Sequence, residues 1–575
     1  MDTAVDPGND FYRYANGNWL RNAVVPADAS NVSRTSAAEA ELDRRLTSIV
    51  EDIAGRPQDR GTPEALVRDY YRYYMDREMI DRLGLKPASS FIERIDGIED
   101  VAGLSRAIGT TLRADAEPLA GKQSENLFAV SVLPAPTGKN AAAWLLPGGL
   151  GLPDREAYLL ESSAARATRA AYRDYVARIL SRGGRTGATA RANAVLDLEV
   201  KLAEAQGAAQ DLSQARMLSA EELQEEAPGI DWAGLLAAAG LGDEAQIAVV
   251  DAEAIARIST LAKEVPLDAW KDWLIFHRLS THANVLPAEF ARARYVFYGQ
   301  RMGVMDDGGS REELATHQIS SLFGGTLSRL YAARYFSEEE RKDVSIIVDR
   351  IRRAMADGLP DGADGTAALE ELTVATGFPD EYEELTDLGP FAANAYGMTV
   401  AAERAAYRQE LGLLGKPYDP TRWVTGTQDM QVRYLPLQNV LEVPAALLQP
   451  PFYDPEADAS ANYGGIGGIV GKSLANAAGA AHPTIAGLAA AYEGYRASLG
   501  GKEPRVIEGY TGDQRFFIAF AQLQAVKTAR EASAITQGAK DDANAVRNLD
   551  AWYRAFDVQP SDELYQPAAE RLTGW

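Results

Sequence analysis

Apolar residues recur at three- and four-residue spacing along much of this chain, with polar or small residues between them. That spacing is typical of amphipathic helices that bury one face. It predicts helices over residues 37–53, 163–182, 190–206, 337–357 and 485–498. We therefore expect a mainly α-helical protein.

Alternation of apolar and polar residues, which is typical of half-buried strands, is rare in the sequence. The best candidate is the segment 424–441, in which Met430, Val432 and Tyr434 fall close to a period of two. This segment predicts a small β-sheet beside the helices.

Length and composition fit a large globular protein. The chain has 575 residues, 46% of them hydrophobic, so it can bury a sizeable core in roughly two to four folding units. No apolar run approaches the length of about 18 residues that a transmembrane helix needs. We therefore expect no transmembrane span.

Charge and cysteine content exclude several functions. The net charge is −24, which disfavours nucleic acid and anionic membrane surfaces as partners because both are polyanions. There are no cysteines, so disulfides and thiolate metal sites are excluded. We expect no nucleic-acid partner.

Four sequence blocks spread along the chain carry a family resemblance. They read PGNDFYRYANGNWL at 7–20, GLGLPDR at 149–155, QPPFYDPEADASANYGGIGGIVG at 449–471 and GYTGDQRFF at 509–517. Together they resemble the neprilysin-like zinc metallopeptidases, a family that includes endothelin-converting enzymes and bacterial oligopeptidases. The resemblance implies a two-lobed fold that encloses a cavity. It implies a shortened, degenerate catalytic-type lobe at 1–45 and 325–575, and a helical cap lobe at 46–324.

The catalytic motif of that family is missing from its expected place. Relatives continue after the third block with His-Glu-x-x-His, whereas this chain has Lys472, Ser473, Leu474, Ala475 and Asn476. Two histidines four apart on one helix face bind zinc, and the glutamate acts as general base. Lysine repels a zinc ion, asparagine is a poor ligand, and serine cannot act as the base without a partner. We therefore expect no zinc and no cofactor.

The resemblance also locates the third ligand and its supporting residue. Counting back from Gly487, the ligand glutamate of relatives corresponds to Ala480 and the supporting aspartate corresponds to Thr484. Relatives carry a long stretch between the two ligand helices, whereas here Gly479 to Ala481 joins them almost directly. We expect this deletion to reshape one wall of the cavity.

Residues that hold the substrate in relatives are changed as well. The Asn-Ala pair that binds a peptide backbone in the family corresponds to Gln431 and Val432. A histidine and an arginine that relatives carry upstream of Asn548 have no counterpart in residues 535–545. The substrate clamp is therefore expected to be degenerate.

Other chemistries receive little support. Residues 466–473 read IGGIVGKS and miss the first glycine of a phosphate-binding loop, and no histidine is placed to activate Ser473 as a nucleophile. His277 and His282 are five residues apart on a predicted helix, about 140° from sharing a face. Together with His317 and His482, they are interpreted as structural or surface histidines.

Two functions follow from the resemblance and the lost motif. The first is a catalytically inactive pseudopeptidase that serves as an interaction or regulatory subunit, paired as a hetero-oligomer with an active paralogous metallopeptidase. The alternative is a module that captures oligopeptides without cleaving them. A third, a peptidase with a relocated metal site, would need ligands that the sequence does not offer.

The resemblance and the chain's start bear on its origin and location. Residues 1–5 carry neither a basic nor an apolar leader region. Lack of cysteine and the habits of bacterial relatives imply a bacterial, periplasmic or otherwise extracytoplasmic protein whose leader is absent from this sequence. The residues themselves leave a cytoplasmic location open.

Overall fold

Helices dominate the computed structural model, which describes residues 1–26, 31–113, 124–207, 211–303, 309–359, 364–529 and 534–574. Short strands accompany them, so the predicted fold class, mainly α-helical with a small β-sheet, is confirmed. Within those ranges, none of the helices combines the length and the apolar character that crossing a membrane requires.

The elements follow one another along the described residues. The helices are α1 Phe11–Asn22, α2 Arg34–Ala54, α3 Pro63–Met75, α4 Arg77–Leu83, α5 Ser89–Asp96, α6 Val101–Thr111, α7 Glu156–Leu159, α8 Ser163–Arg182, α9 Ala188–Ala205, α10 Ala220–Glu226, α11 Trp232–Ala238, α12 Ala252–Glu264, α13 Leu267–Thr281, α14 Ala288–Arg294, α15 Arg311–Leu322, α16 Gly324–Tyr335, α17 Glu338–Gly358, α18 Asp364–Glu370, α19 Ala395–Leu411, α20 Ala459–Gly464, α21 Ile466–Ala477, α22 Pro483–Ser498, α23 Gly512–Leu523, α24 Ala534–Ala543 and α25 Asp550–Phe556. The strands are β1 Asn31–Ser33, β2 Phe128–Pro134, β3 Ala141–Pro147, β4 Arg216–Leu218, β5 Ile247–Val249, β6 Thr373–Gly377, β7 Arg433–Leu435, β8 Val440–Pro444 and β9 Val526–Thr528.

The helices predicted from apolar spacing are all present, as α2, α8, α9, α17 and α22. Their ends are set by local chemistry. At the start of α17, Ser337 Oγ accepts a hydrogen bond from the Glu340 backbone N–H, and the Glu340 carboxylate accepts one from the Ser337 N–H. This reciprocal pair satisfies two N–H groups that the first turn of a helix leaves without partners.

The predicted sheet is confirmed in part of its segment, where β7 and β8 pair antiparallel and β6 adds a parallel strand to β8. The sheet of β2, β3, β5 and β4 was not predicted. Every residue of β2 except Pro134, and every residue of β3, is buried. Strands buried on both faces lack the alternation that identifies half-buried strands in a sequence.

The chain divides into two compact units. The first consists of Met1–Asp52, Gly324–Glu384 and Pro420–Trp575. Its core contains α17, α21 and α22, and α21 also packs against α20, β7 and β8. Phe11 of α1 contacts Trp552 of α25 edge to face, so both ends of the sequence belong to this unit.

The second unit consists of Ile53–Phe323 and Leu385–Asp419. It contains the four-stranded sheet and a core in which α8, α9 and α13 pack together. The lobe boundaries inferred from the family resemblance, 1–45 with 325–575 and 46–324, place residues 385–419 differently and remain a prediction.

Candidate functional site

Helix α21 occupies the place where the family resemblance puts a zinc helix, and glycines let it pack closely. A Cβ atom at Gly487 of α22 would lie 2.3 Å from the backbone nitrogen of Lys472, and one at Gly471 would lie 2.4 Å from the carbonyl oxygen of Gly487. No side chain fits between the two backbones at this crossing. A Cβ at Gly468 would likewise lie 2.8 Å from Phe520, so a second glycine brings α21 close to α23.

The predicted degenerate positions on α21 lie mostly at its surface. Lys472 and Asn476 are exposed, while Leu474 and Ala475 between them are buried. Ser473 is half-buried, and its hydroxyl donates to the Ile469 carbonyl 3.3 Å away, within its own helix. The helix therefore presents an ammonium and an amide at positions four residues apart.

The remaining predicted positions lie in and just beyond a short turn. The Ala480 backbone N–H donates to the Ala475 carbonyl at 2.9 Å, so Ala480 closes the end of α21 instead of lying on a second ligand helix. Thr484 is the second residue of α22, which begins at Pro483. The His482 N–H donates to the Gly574 carbonyl at 3.0 Å, which ties the C-terminal segment to this turn.

A zinc ion does not fit the donor set of these five positions. Lys472 repels a cation, Ala480 has no donor atom, and the hydroxyls and amide of Ser473, Thr484 and Asn476 are weak ligands for zinc. Among the described residues, no group of three or more histidine, aspartate and glutamate side chains is arranged to bind a metal ion.

The two predicted clamp positions precede the edge strand of the sheet next to α21. Gln431 is exposed and Val432 is half-buried, and strand β7 follows them at the edge of the order β6-β8-β7. The approach to this strand is anchored by Glu442 of β8. Its buried carboxylate accepts hydrogen bonds from the backbone N–H groups of Val424 and Thr425 at 2.8 and 3.1 Å.

The second unit contains a separate buried polar cluster that the sequence did not reveal. Glu199 of α9 has no exposed surface, and its carboxylate accepts from the hydroxyls of Tyr158 and Tyr172 at 2.5 and 3.0 Å. His277 Nε2 lies 2.9 Å from the same carboxylate and donates to it. Burial, with the Glu199 charge, raises the pKa of both tyrosines well above the ordinary value, so they remain donors.

His277 lies between two carboxylates. Burial opposes its positive charge, but Glu125 and Glu199 outweigh burial and raise its pKa to about 9. Burial also opposes the charge of Glu125, yet His277 and Arg294 hold the pKa of that carboxyl well below its usual range. At neutral pH the cluster therefore contains an imidazolium with N–H groups on both ring nitrogens.

His282 lies one turn further along and belongs to a second buried group. Its Nδ1 lies 2.9 Å from the Arg278 carbonyl, and its Nε2 lies 3.2 Å from the Glu403 carboxylate. Arg113 lies 3.0 Å from the same carboxylate. Burial, together with Arg278, lowers the pKa of His282.

His277 and His282, interpreted from the sequence as structural or surface histidines, are both buried and hydrogen-bonded, so neither is a surface histidine. The sequence missed their proximity. Both line one cavity, although helical geometry places residues five apart on different faces. The reason is that α13 ends at Thr281 and His282 is its C-cap, where the chain leaves the helix.

Comparisons with known sequences agree with the resemblance. Profiles described as peptidase family M13 match residues 7–361 and residues 432–478 and 480–572. The second match is interrupted at residue 479, within the turn between α21 and α22. Endothelin-converting enzyme-like 1 from Homo sapiens is 26% identical over 511 residues, which cover 82% of this chain and 64% of that protein. The chain thus spans less than two thirds of the length of that relative.

Solved structures share the fold. The zinc metalloprotease Zmp1 of Mycobacterium tuberculosis, solved with an inhibitor, has a TM-score of 0.85 at 24% identity, with 99% of this chain and 98% of that chain covered. PepO from Lactobacillus rhamnosis HN001 has a TM-score of 0.79 at 20% identity, with 99% of both chains covered.

Proposed function

Because the chain belongs to peptidase family M13, the neprilysin-like metallopeptidases, and carries Lys472, Ser473 and Asn476 on the helix that should hold zinc, we propose that it is a catalytically inactive member. The placement of an ammonium and an amide four residues apart on α21 carries this proposal. The side chains of Lys472 and Asn476 are both exposed, and neither offers the imidazole nitrogen that binds zinc at these two positions in relatives.

We further propose that the protein acts as an interaction or regulatory subunit of an active paralogous metallopeptidase. The close packing of α21 on α22 supports this role. The two backbones meet at Gly471 and Gly487, so the fold around the lost site is kept although its zinc ligands are not. Lys472 and Asn476 are exposed beside the turn of exposed residues Gly479, Ala481 and His482. These residues form an exposed surface of small and polar side chains, and we propose that the partner binds there.

The subunit proposal is tested by purifying the tagged protein from its native host and identifying what accompanies it by mass spectrometry. We expect to recover a paralogue with an intact His-Glu-x-x-His motif in a ratio of about one to one with the tagged protein. The double variant Lys472→Glu/Asn476→Arg should reduce its recovery at least several-fold. The matched control, Lys342→Glu at an exposed position of α17, should leave recovery unchanged. Purification of the protein alone would contradict this role.

The alternative proposal, capture of oligopeptides without cleavage, is favoured by one observation. Strand β7 lies at the edge of its sheet, and an edge strand can pair with an extended peptide through backbone hydrogen bonds. Titration calorimetry with an equimolar mixture of unstructured decapeptides, followed by mass spectrometry of the mixture, tests it. Binding heat with every peptide intact supports capture, and the absence of heat counts against it.

We also propose a bacterial origin and a periplasmic or otherwise extracytoplasmic location, on the basis of the bacterial structures that share the fold and the lack of cysteine. Fractionation of the native host tests the location. Recovery with periplasmic markers supports it, and recovery with cytoplasmic markers contradicts it.

A further inference from the structure

Three helices of the second unit, α5, α13 and α19, each contribute an arginine to one group of positive charges. The three residues are Arg94, Arg278 and Arg404, and we name them the arginine surface. Arg94 and Arg404 are exposed, and 17% of the Arg278 side chain is exposed. All three guanidiniums can therefore meet a ligand from solvent.

Buried aromatic rings hold two of these guanidiniums in place. The ring centre of Phe91 lies 5.6 Å from the guanidinium carbon of Arg94 and 5.2 Å from that of Arg278. Arg278 also lies 5.7 Å from the ring centre of Tyr396, and its Nε donates to the Tyr396 hydroxyl at 3.1 Å. A guanidinium that lies against a ring is fixed in orientation, while its outer N–H groups still donate to a ligand.

The positive charges of the arginine surface repel one another. Burial, followed by the charges of Arg404 and Arg278, lowers the pKa of Arg94. Like charges act on each other in this way only over short distances, so the three guanidiniums lie close together. Within the part of the chain that the structure describes, neither Arg94 nor Arg404 forms an ion pair with a carboxylate.

One carboxylate, that of Glu403, lies beside these arginines and is already bound. Arg113 donates to it at 3.0 Å, His282 Nε2 lies 3.2 Å from it, and Arg278 lies 3.9 Å away. Burial opposes the charge of Glu403, but His282 and Arg113 hold the pKa of this carboxyl well below its usual range. Glu403 therefore does not neutralise Arg94 or Arg404.

The group carries an excess of positive charge. Among its described residues, four arginines are present for the one carboxylate of Glu403, which leaves three positive charges: Arg94, Arg113, Arg278 and Arg404. His282 has a lowered pKa and adds no charge at neutral pH. Counting Glu93 as well, the exposed neighbour of Arg94 in the sequence, still leaves an excess of two.

Two further carboxylates of the second unit, Glu125 and Glu199, do not change this count. Glu125 lines one cavity with Arg113. The charged His277 lies between the two carboxylates, and Arg294 pairs with Glu125, so two positive charges balance two negative ones.

The charge of the whole chain limits which anion fits the arginine surface. A net charge of −24 repels long polyanions such as nucleic acid from most of the molecule. A short ligand meets only the local excess of positive charge. Because the three guanidiniums come from three helices, carboxylates on separate side chains can each pair with a different one, through two parallel hydrogen bonds.

We propose that the arginine surface binds a short acidic peptide segment that carries two or more neighbouring aspartate or glutamate side chains. Its carboxylates would supply the partners that Arg94 and Arg404 lack and would relieve the repulsion among the guanidiniums. The proposal is independent of the inactive-peptidase function, since none of the lost peptidase positions belongs to the second unit.

Titration calorimetry with two blocked hexapeptides tests the proposal on the whole chain. One peptide carries four consecutive glutamates, and the other carries four glutamines. We expect the glutamate peptide to bind at least about tenfold more tightly, because bonds to charged groups are the stronger ones. Its affinity should fall at least about fivefold between 50 and 500 mM sodium chloride. Equal affinity for the two peptides would overturn the proposal.

Charge reversal locates the binding. Arg94→Glu/Arg404→Glu should weaken binding of the glutamate peptide at least about tenfold. The matched control is Arg178→Glu/Arg292→Glu, which makes the same change of charge at two exposed positions of the same unit. It should change the affinity less than about threefold, and equal losses in the two double variants would show that the peptide binds elsewhere.

Pyrophosphate tests whether a compact anion fits instead. Binding of pyrophosphate without binding of the glutamate peptide would overturn the proposal. If Arg94→Glu/Arg404→Glu fails to fold, the comparison of the two peptides on the wild type and the single variant Arg404→Gln, which should weaken binding several-fold, decide the matter.

Discussion

Glu199 shows at the scale of a residue how this protein keeps a carboxylate without any exposed surface. An uncompensated buried charge destabilises a fold by several kcal/mol, but Tyr158, Tyr172 and His277 all donate to this one. The Tyr158 hydroxyl also accepts from the backbone N–H groups of Gly151 and Leu152 at 3.0 and 2.8 Å. The network therefore fixes the Gly-rich block at 149–155 onto α9.

His277 makes stability depend on alkaline pH. Because its folded-state pKa is raised from 6.5 to about 9, its contribution is fully present below about pH 6.5 and is lost as pH rises through about 9. The carboxylates that pair with it are Glu199 and Glu125, and Arg294 pairs in turn with Glu125. We expect the free energy of unfolding in urea to fall by on the order of 2–3 kcal/mol between pH 6.5 and pH 10.

The matched variants identify the residue responsible for that fall. His277→Gln should lower stability at pH 7 and flatten the profile over this range, because glutamine has no proton to lose. His482→Gln, at an exposed position, should leave the profile unchanged. An equal slope in the wild type and in His277→Gln would show that another group titrates.

Individual residues also mark the limit of prediction from sequence. The positions Lys472, Ser473 and Asn476 could be predicted because a catalytic motif has fixed spacing within one helix. The cavity lined by Asn126, Trp273 and His277 could not be predicted. Asn126 lies more than a hundred residues before the other two, and none of the three belongs to a motif. Their juxtaposition depends on how α13 packs beside the approach to β2.

At the scale of elements, α21 and α22 depend on glycine where their backbones meet. A Cβ at Gly487 would lie 2.3 Å from backbone atoms of Gly471 and Lys472, and backbone cannot rotate away as a side chain can. We expect Gly487→Ala to lower the free energy of unfolding by about 1–3 kcal/mol in urea titrations. Gly538→Ala on α24 has open space and should be neutral or stabilising by up to about 1 kcal/mol. Equal effects of the two substitutions would contradict close packing at the crossing.

The exposed face of α21 should still accept a metal when its ligands are supplied. The double variant Lys472→His/Asn476→His places two imidazoles four residues apart on one face, and we expect measurable zinc binding by titration calorimetry. Lys472→His alone should bind far more weakly. Hydrolysis should not appear, because Ala480 closes a turn and Ser473 is not a general base. Failure of the double variant to bind zinc would show that the two positions do not share an accessible face.

Elements differ in how well the sequence predicts them. Amphipathic helices such as α8 and α17 have one polar and one apolar face, so the spacing of their apolar residues reveals them in the sequence. The capping serines Ser162 and Ser337 mark where they begin. Strands β2 and β3 are buried on both faces and show no alternation. Strand β6 was also missed, because its partner β8 is distant in the sequence and no local pattern records their pairing.

At the scale of the whole molecule, the chain keeps the fold of peptidase family M13 over both compact units, while α21, the helix that the resemblance places at the zinc site, carries side chains that do not suit zinc. Packing a helix requires size and shape at buried positions, whereas binding zinc requires particular atoms at exposed ones. The two requirements fall on different residues of α21, so the chemistry can be lost without disturbing the fold. This separation is why the family could be predicted from the sequence and why activity must be tested separately.

The proposed catalytic inactivity can be checked by measuring zinc content and peptide hydrolysis on one preparation. The protein, purified without chelators and then supplied with zinc, would be analysed by elemental mass spectrometry and assayed with an internally quenched peptide. We predict far less than one zinc ion per chain and no hydrolysis that a chelator abolishes. One zinc ion per chain together with chelator-sensitive hydrolysis would show that the protein is an active metallopeptidase.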